Sequence, residues 1–217
     1  MTIALVGQAI NSDAATSQTT HVVTLTMAAG NFAALLIATR DNVTATSVVG
    51  SVNGAYTQAG AAQQDTNDGS WAEIWYKENV AAGAETVTVT YNLAGRSFLN
   101  LSEWSGVKIS AALDKNNGAN NSTAVTTHPH GSITTIAASV ILTASNQGAI
   151  STETPAAGFT ALTNNAARDY YQYKISSGIE TNDGAYTITV ATVSAGKIAN
   201  FLEAAGGAPS MMGQAVF

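Results

Sequence analysis

Two histidines two residues apart, His128 and His130 in Thr126-Thr127-His128-Pro129-His130, are the side chains best spaced to hold a metal ion. In an extended segment, positions i and i+2 share one face. Two imidazoles with a third donor suit zinc or iron, and His21 in the matching Thr19-Thr20-His21 is the candidate third. Two Asx-rich stretches, Asp65-Thr66-Asn67-Asp68-Gly69 and Asp114-Lys115-Asn116-Asn117-Gly118, offer oxygen ligands to calcium. Neither has the closing glutamate of an EF-hand loop, and Asp and Asn are favoured at turns for backbone reasons alone. A polar, proline-containing loop accounts for the two histidines without any metal. The sequence therefore requires no cofactor, and calcium or a transition metal are the candidate ions.

Paired carboxylates are the other route to chemistry, because glycoside hydrolysis needs two of them facing across a sugar. Glu73, Glu103 and Glu203 are the candidates. Glu103 and Glu203 recur at equivalent places in a repeat, and repetition suits a structural role better than a catalytic one. Ser105-Gly106-Val107-Lys108 matches Ser-x-x-Lys in letters, but Gly106 and the surrounding strand pattern spoil the helix that motif needs. There is no nucleophile elbow, phosphate loop or dinucleotide fingerprint. With no cysteine in the chain, a thiolate is excluded as nucleophile or ligand. The expectation is a protein that is not an enzyme. Aromatic rings are the remaining signal: Trp71, Trp75 and Tyr76 answer to Tyr170, Tyr171 and Tyr173. An outward ring from either set would make a platform for a sugar or a protein partner. Inward rings would be sheet core.

The elements that carry these residues come twice. Ser70 to Gly106 is echoed by Arg168 to Gly207, with Asn100, Glu103 and Gly106 answering to Asn200, Glu203 and Gly206 at the same offset of one hundred. Phe32–Thr39 answers to Ala138–Ser145, and Gly54–Ala59 to Gly158–Thr163. The expected organisation is one β-sandwich over 1–207, built from halves at about 1–107 and 124–207 and joined by a polar loop at 114–131. An apolar tail follows at 208–217.

Period-two alternation predicts strands throughout. His21, Val23, Leu25 and Met27 form the expected inward face of one strand. Phe32–Thr39 is continuously apolar, as suits a strand covered on both sides. Thr86–Tyr91 and Tyr186–Thr192 alternate cleanly and are rich in β-branched residues. In Ser70–Lys77, the set Ala72, Ile74 and Tyr76 is the expected core face. Asn53-Gly54, Asp68-Gly69, Asn117-Gly118 and Asp183-Gly184 read as turns. The fold class expected is all-β: an antiparallel β-sandwich, jelly-roll-like, with two duplicated halves.

The net charge of −6 and only 10% charged residues, against about 25% in typical domains, disfavour a nucleic acid partner. A surface rich in Thr, Ala, Asn and Ser costs little to desolvate against another protein. No stretch reaches the roughly 20 apolar residues of a membrane helix, and the N-terminus has no signal-peptide pattern.

Leu35–Thr39, Gly54–Thr57, Trp75–Gly83, Thr86–Thr90 and Ser102–Gly106 resemble a β-sandwich module of bacteriophage virion proteins, also found in bacterial surface proteins. The likeness continues through Gly158–Thr160 and Tyr186–Val190. It implies a capsid decoration, head-fibre or tail-fibre component, assembled in the host cytoplasm and located in the virion. The implied partners are further copies of itself, a trimer being favoured, other virion proteins and a host surface glycan, with no membrane or nucleic acid. The family supplies no catalytic set. The alternative is a carbohydrate-binding or adhesive module of a bacterial surface protein. His128-Pro129-His130 lies outside the module's pattern, although it resembles the His-x-His of some phage spike tips. The tail is outside the pattern too, and its Met211, Met212, Val216 and Phe217 would dock on the domain or clasp a neighbour.

Overall fold

A computed structural model describes residues 2–11, 14, 16–165 and 168–205. The tail with Met211, Met212, Val216 and Phe217 lies outside the described residues. The first half supplies β1 (Ala4–Ile10), β2 (Gln18–Met27), β3 (Phe32–Thr39), β4 (Ala45–Gly50) and β5 (Gly54–Ala55). It continues with β6 (Thr57–Gln58), β7 (Gln63–Asp65), β8 (Ser70–Lys77), β9 (Gly83–Gly95) and β10 (Ser97–Ser105). The second half supplies β11 (Leu113–His128), β12 (Ile133–Thr134), β13 (Ser139–Gln147) and β14 (Glu153–Thr154). It ends with β15 (Thr160–Ala161), β16 (Asp169–Ser176), β17 (Thr181–Asn182) and β18 (Tyr186–Leu202). The protein is all-β, and among the described residues there is no helix.

These strands form antiparallel sheets in packed layers. The front sheet runs β2-β9-β4-β5. The central sheet runs β1-β10-β3-β8-β6, with β7 also on β8, and the back sheet runs β11-β18-β13-β16-β15, with β14 on β18. A short ribbon, β12-β17, completes the fold.

The continuous apolar run of β3 has its reason here, since all eight of its residues are buried. Ala33, Leu35 and Ile37 join Val23, Met27, Val48, Val87 and Val89 of the front sheet. Phe32, Ala34, Leu36 and Ala38 meet Val140, Leu142, Ala144, Tyr171 and Phe201 of the back sheet. Alternate side chains of one strand thus feed two cores. The front sheet is covered on one side only, and its strands alternate accordingly. His21, Val23 and Met27 of β2 are buried as expected, while Thr20, Val22 and Thr24 are exposed.

The stretch at 114–131 is not a loop joining the halves. Most of it is the sixteen-residue strand β11, and Asn117-Gly118 lies inside that strand rather than at a turn. Its polar composition hid it. An edge strand needs one partner for its ladder, which β18 provides from Leu113 to His128, and its outward side chains are free to be Asn, Ser and Thr. Gly118 packs closely on Gln63: a Cβ there would sit 2.6 Å from Gln63 Oε1. The other expected turn glycines, Gly54, Gly69 and Gly184, do have positive φ, at 67°, 71° and 61°.

The central and back sheets are laid out alike: edge strand, last long strand of the half, apolar strand, aromatic strand, two-residue strand. Yet the echoed letters do not occupy equivalent faces. Asn100 sits opposite Leu36, on the side facing the back sheet. Asn200 sits opposite Ile141, which points away from the central sheet. A one-residue difference in register swaps faces. An offset of 101, pairing Ala94-Gly95-Arg96 with Ala195-Gly196-Lys197, restores it and places Phe98 and Ala199 in the same core.

The layering predicts a sharp contrast between two sites. Leu36→Ala, between central and back sheets, should destabilise by about 2–5 kcal/mol. Thr88→Ala, on the outer face of the front sheet, should stay within about 0.5 kcal/mol. Urea denaturation of the two variants measures both.

Candidate functional site

Three buried carboxylates lie between the front and central sheets, and each accepts two or more N–H donors. Glu73 is 1% exposed. Its Oε1 accepts from Ala45 N at 2.9 Å, and its Oε2 from Trp75 Nε1 at 2.8 Å and Gln58 Nε2 at 3.0 Å. Burial pushes its carboxyl above the ordinary range, while the three donors pull it back. Glu103 Oε1 accepts from Ala28 N at 2.7 Å and Asn31 Nδ2 at 2.8 Å, fixing the turn after β2. Glu85 Oε2 accepts from Val52 N at 2.8 Å and Asn53 N at 3.2 Å. Gly50 makes room for that group, since a Cβ there would lie 1.6 Å from Glu85 Oε1. These carboxylates cap loops in place of water. Glu203 is apart from them, half-buried, in a bridge with Val107 and beside a cavity of about 200 Å³. Ser105 ends β10 rather than opening a helix.

The three histidines are all fully buried. His21 belongs to the front sheet, where Nε2 donates to Gly95 O at 3.0 Å. His128 and His130 flank the ring of Tyr186, each with centroids 5.3 Å away. Tyr186 in turn stacks on Tyr170 at 4.6 Å. His128 Nε2 donates to Val125 O at 3.0 Å, so its Nδ1 accepts the Ser194 hydroxyl. His130 Nδ1 donates to Gly184 O at 2.9 Å. Burial holds the His128 imidazole below its ordinary value and pushes His130 down to about 4. The structure thus brings His128 and His130 together around Tyr186, with His21 in another sheet. Among the described residues, no three His, Asp or Glu side chains form a metal-sized cluster.

The Asx stretches part ways. Asp65 and Asp68 cap their own turn, accepting from Asn67 N and Ser70 N, both at 2.9 Å. Asp114 to Gly118 belongs to β11 and makes no turn.

The rings expected to form a platform are largely internal. Tyr170 is 2% and Tyr171 0% exposed, and Tyr171 Oη donates to Phe98 O at 2.7 Å across the halves. Tyr173 meets Trp104 edge-on at 4.9 Å. Trp75 packs against the front core, and Trp71 is half-buried. Tyr170 and Tyr171 therefore cannot serve as a surface, because both rings are buried.

What the sequence did not reveal is a polar cavity of about 500 Å³ on the second half. Phe159, Lys174, Thr181, Asn182, Asp183 and Gly184 contribute to its wall. Phe159 also packs on Ile133, Ile141 and Ile198. Lys174 Nζ donates to Glu180 Oε2 at 2.7 Å and to Asn182 Oδ1 at 2.9 Å. The turn signal Asp183-Gly184 marked one edge of this cavity. The rest comes from β16, β17 and loops that are distant in sequence. No family model, curated protein or solved structure matches the chain.

The neutral histidines give a pH dependence with a definite sign. The unfolded chain binds a proton at each imidazole near pH 6.5, whereas the folded state holds His130 neutral down to about pH 4. His130 therefore removes stability as pH falls from about 6.5 towards about 4, by roughly 3 kcal/mol. His130→Asn should show a shallower loss over that window in urea unfolding measured at several pH values. An unchanged slope would contradict a buried neutral imidazole.

Proposed function

We propose that the chain is a structural component of a bacteriophage particle, of decoration, head-fibre or tail-fibre type, acting by assembly and surface contact. The observation that carries the reading is where the ionisable groups are. Glu73, Glu85, Glu103, His128 and His130 are buried and engaged in holding turns and strands. The broad outer face of the front sheet carries no charge: Thr20, Val22, Thr24 and Thr26 stand beside Thr86, Thr88 and Thr90, with Ser47 and Val49 next to them. A face of that composition loses little on desolvation and suits protein contact. The resemblance of Trp75–Gly83, Thr86–Thr90 and Ser102–Gly106 to virion β-sandwich modules supports the same reading. So does the parallel layout of the two sheets, which we infer to be a duplicated building unit.

The cavity beside Phe159 favours a second reading, a carbohydrate-binding or adhesive module of a bacterial surface protein. An aromatic face next to Asn, Asp, Thr and Lys is the composition of a small polar ligand site. One pair of measurements separates the two. Light scattering behind a sizing column should give a symmetric homo-oligomer, a trimer, if the chain is a virion component. A monomer that binds a glycan array, and loses binding in Phe159→Ala, would replace that reading with the second.

A further inference from the structure

The same cavity wall holds three side chains whose chemistry is complementary. Lys174 on β16 is a primary amine, Asn182 on β17 is a carboxamide, and Glu180, two residues before Asn182, is a carboxylate. Lys174 Nζ lies 2.7 Å from Glu180 Oε2 and 2.9 Å from Asn182 Oδ1. Asn182 is 8% exposed, and the side chains of Lys174 and Glu180 are 22% and 32% exposed. The Lys174 stem runs beside Gly158, where a Cβ would come within 3.5 Å of Lys174 Cε.

We propose that Lys174 and Asn182 are the partners of an intramolecular isopeptide bond, with Glu180 as the proton carrier. The balance is complete within the three groups. Glu180 takes a proton from the Lys174 ammonium along their hydrogen bond, leaving a neutral amine. Nζ attacks Cγ of Asn182, forming the new C–N bond of a tetrahedral intermediate. The proton passes from Glu180 to the departing amide nitrogen, and the old Cγ–N bond breaks, releasing ammonia into the open cavity beside Glu180. Nζ gives up its second proton to Glu180 as the secondary amide forms, and ammonia then takes that proton to leave as ammonium. No oxidant, metal or further reactant is needed. Holding amine and amide in contact supplies the effective concentration that such a reaction lacks in solution. The bond ties the β12-β17 ribbon to the back sheet, in a chain that has no cysteine for a disulfide.

The molecule contains its own control. Lys197 Nζ lies 3.1 Å from Asn116 Oδ1 on neighbouring strands, and among the described residues no carboxylate pairs with it. That pair has an amine and an amide but no proton carrier, so it should stay open.

Intact-mass spectrometry of the full chain, incubated until its mass is constant, tests the proposal. The expected result is a mass lower than the sequence mass by one ammonia. A tryptic map should show no cleavage after Lys174 and a branched peptide joining it to Asn182. Lys174→Ala, Asn182→Ala and Glu180→Gln should each restore the ammonia. A wild-type chain at full sequence mass, with Lys174 cleaved by trypsin, overturns the proposal without recourse to any variant. An ammonia loss that persists in Lys174→Ala overturns it as well.

Discussion

The structure depends on a sheet that has no wet face. The central sheet buries Ala33, Leu35 and Ile37 against the front sheet, and Phe32, Ala34, Leu36 and Ala38 against the back sheet. A strand with apolar side chains on both sides is insoluble until both sides are covered. One cover comes from the first half and the other from the second, so the hydrophobic effect couples the halves. Tyr171 adds a directional tie, donating to the Phe98 carbonyl across that boundary.

Stacked layers create a second problem, because loops at the layer edges carry N–H groups that cannot reach water. On the front side Glu85 accepts from Val52 and Asn53, Glu103 from Ala28, and Glu73 from the first amide of β4. On the second half Asp169 and Asp183 accept from Asn165 N and Ala185 N, while His128, His130 and Gln172 donate to the carbonyls of Val125 and Gly184. Burial holds the His128 and His130 imidazoles neutral against the pull of the carbonyls they donate to, and it raises the Glu73 carboxyl against the pull of its donors. The residue types that looked reactive in the sequence are thus the ones that close loops.

How much of this was legible follows from whether the signal was local. The double-sided burial of β3 was readable from eight consecutive apolar or small residues. So was the inward face of β2, because alternation is a property of one strand. β11 was unreadable, since Asn, Gly and Ser form a strand there only because β18 offers a ladder. The roles of Glu73 and Glu85 were equally hidden, as their backbone donors Ala45, Val52 and Asn53 lie far along the chain. Asn100 and Asn200 show the converse: a letter match that was plain in sequence, with register placing the two on opposite faces. The cavity beside Phe159 depends on residues from 132 to 185 meeting in space, and only its Asp183-Gly184 turn had a local mark.

Native-state hydrogen exchange tests the coupling most directly. If one doubly covered sheet unites the halves, amides of β3 and β10 should exchange with the same opening free energy as those of β13 and the Ala195–Phe201 part of β18. All of them should open only in global unfolding. Two separate free energies, with one half fully exchanged while the other stays protected, would contradict it.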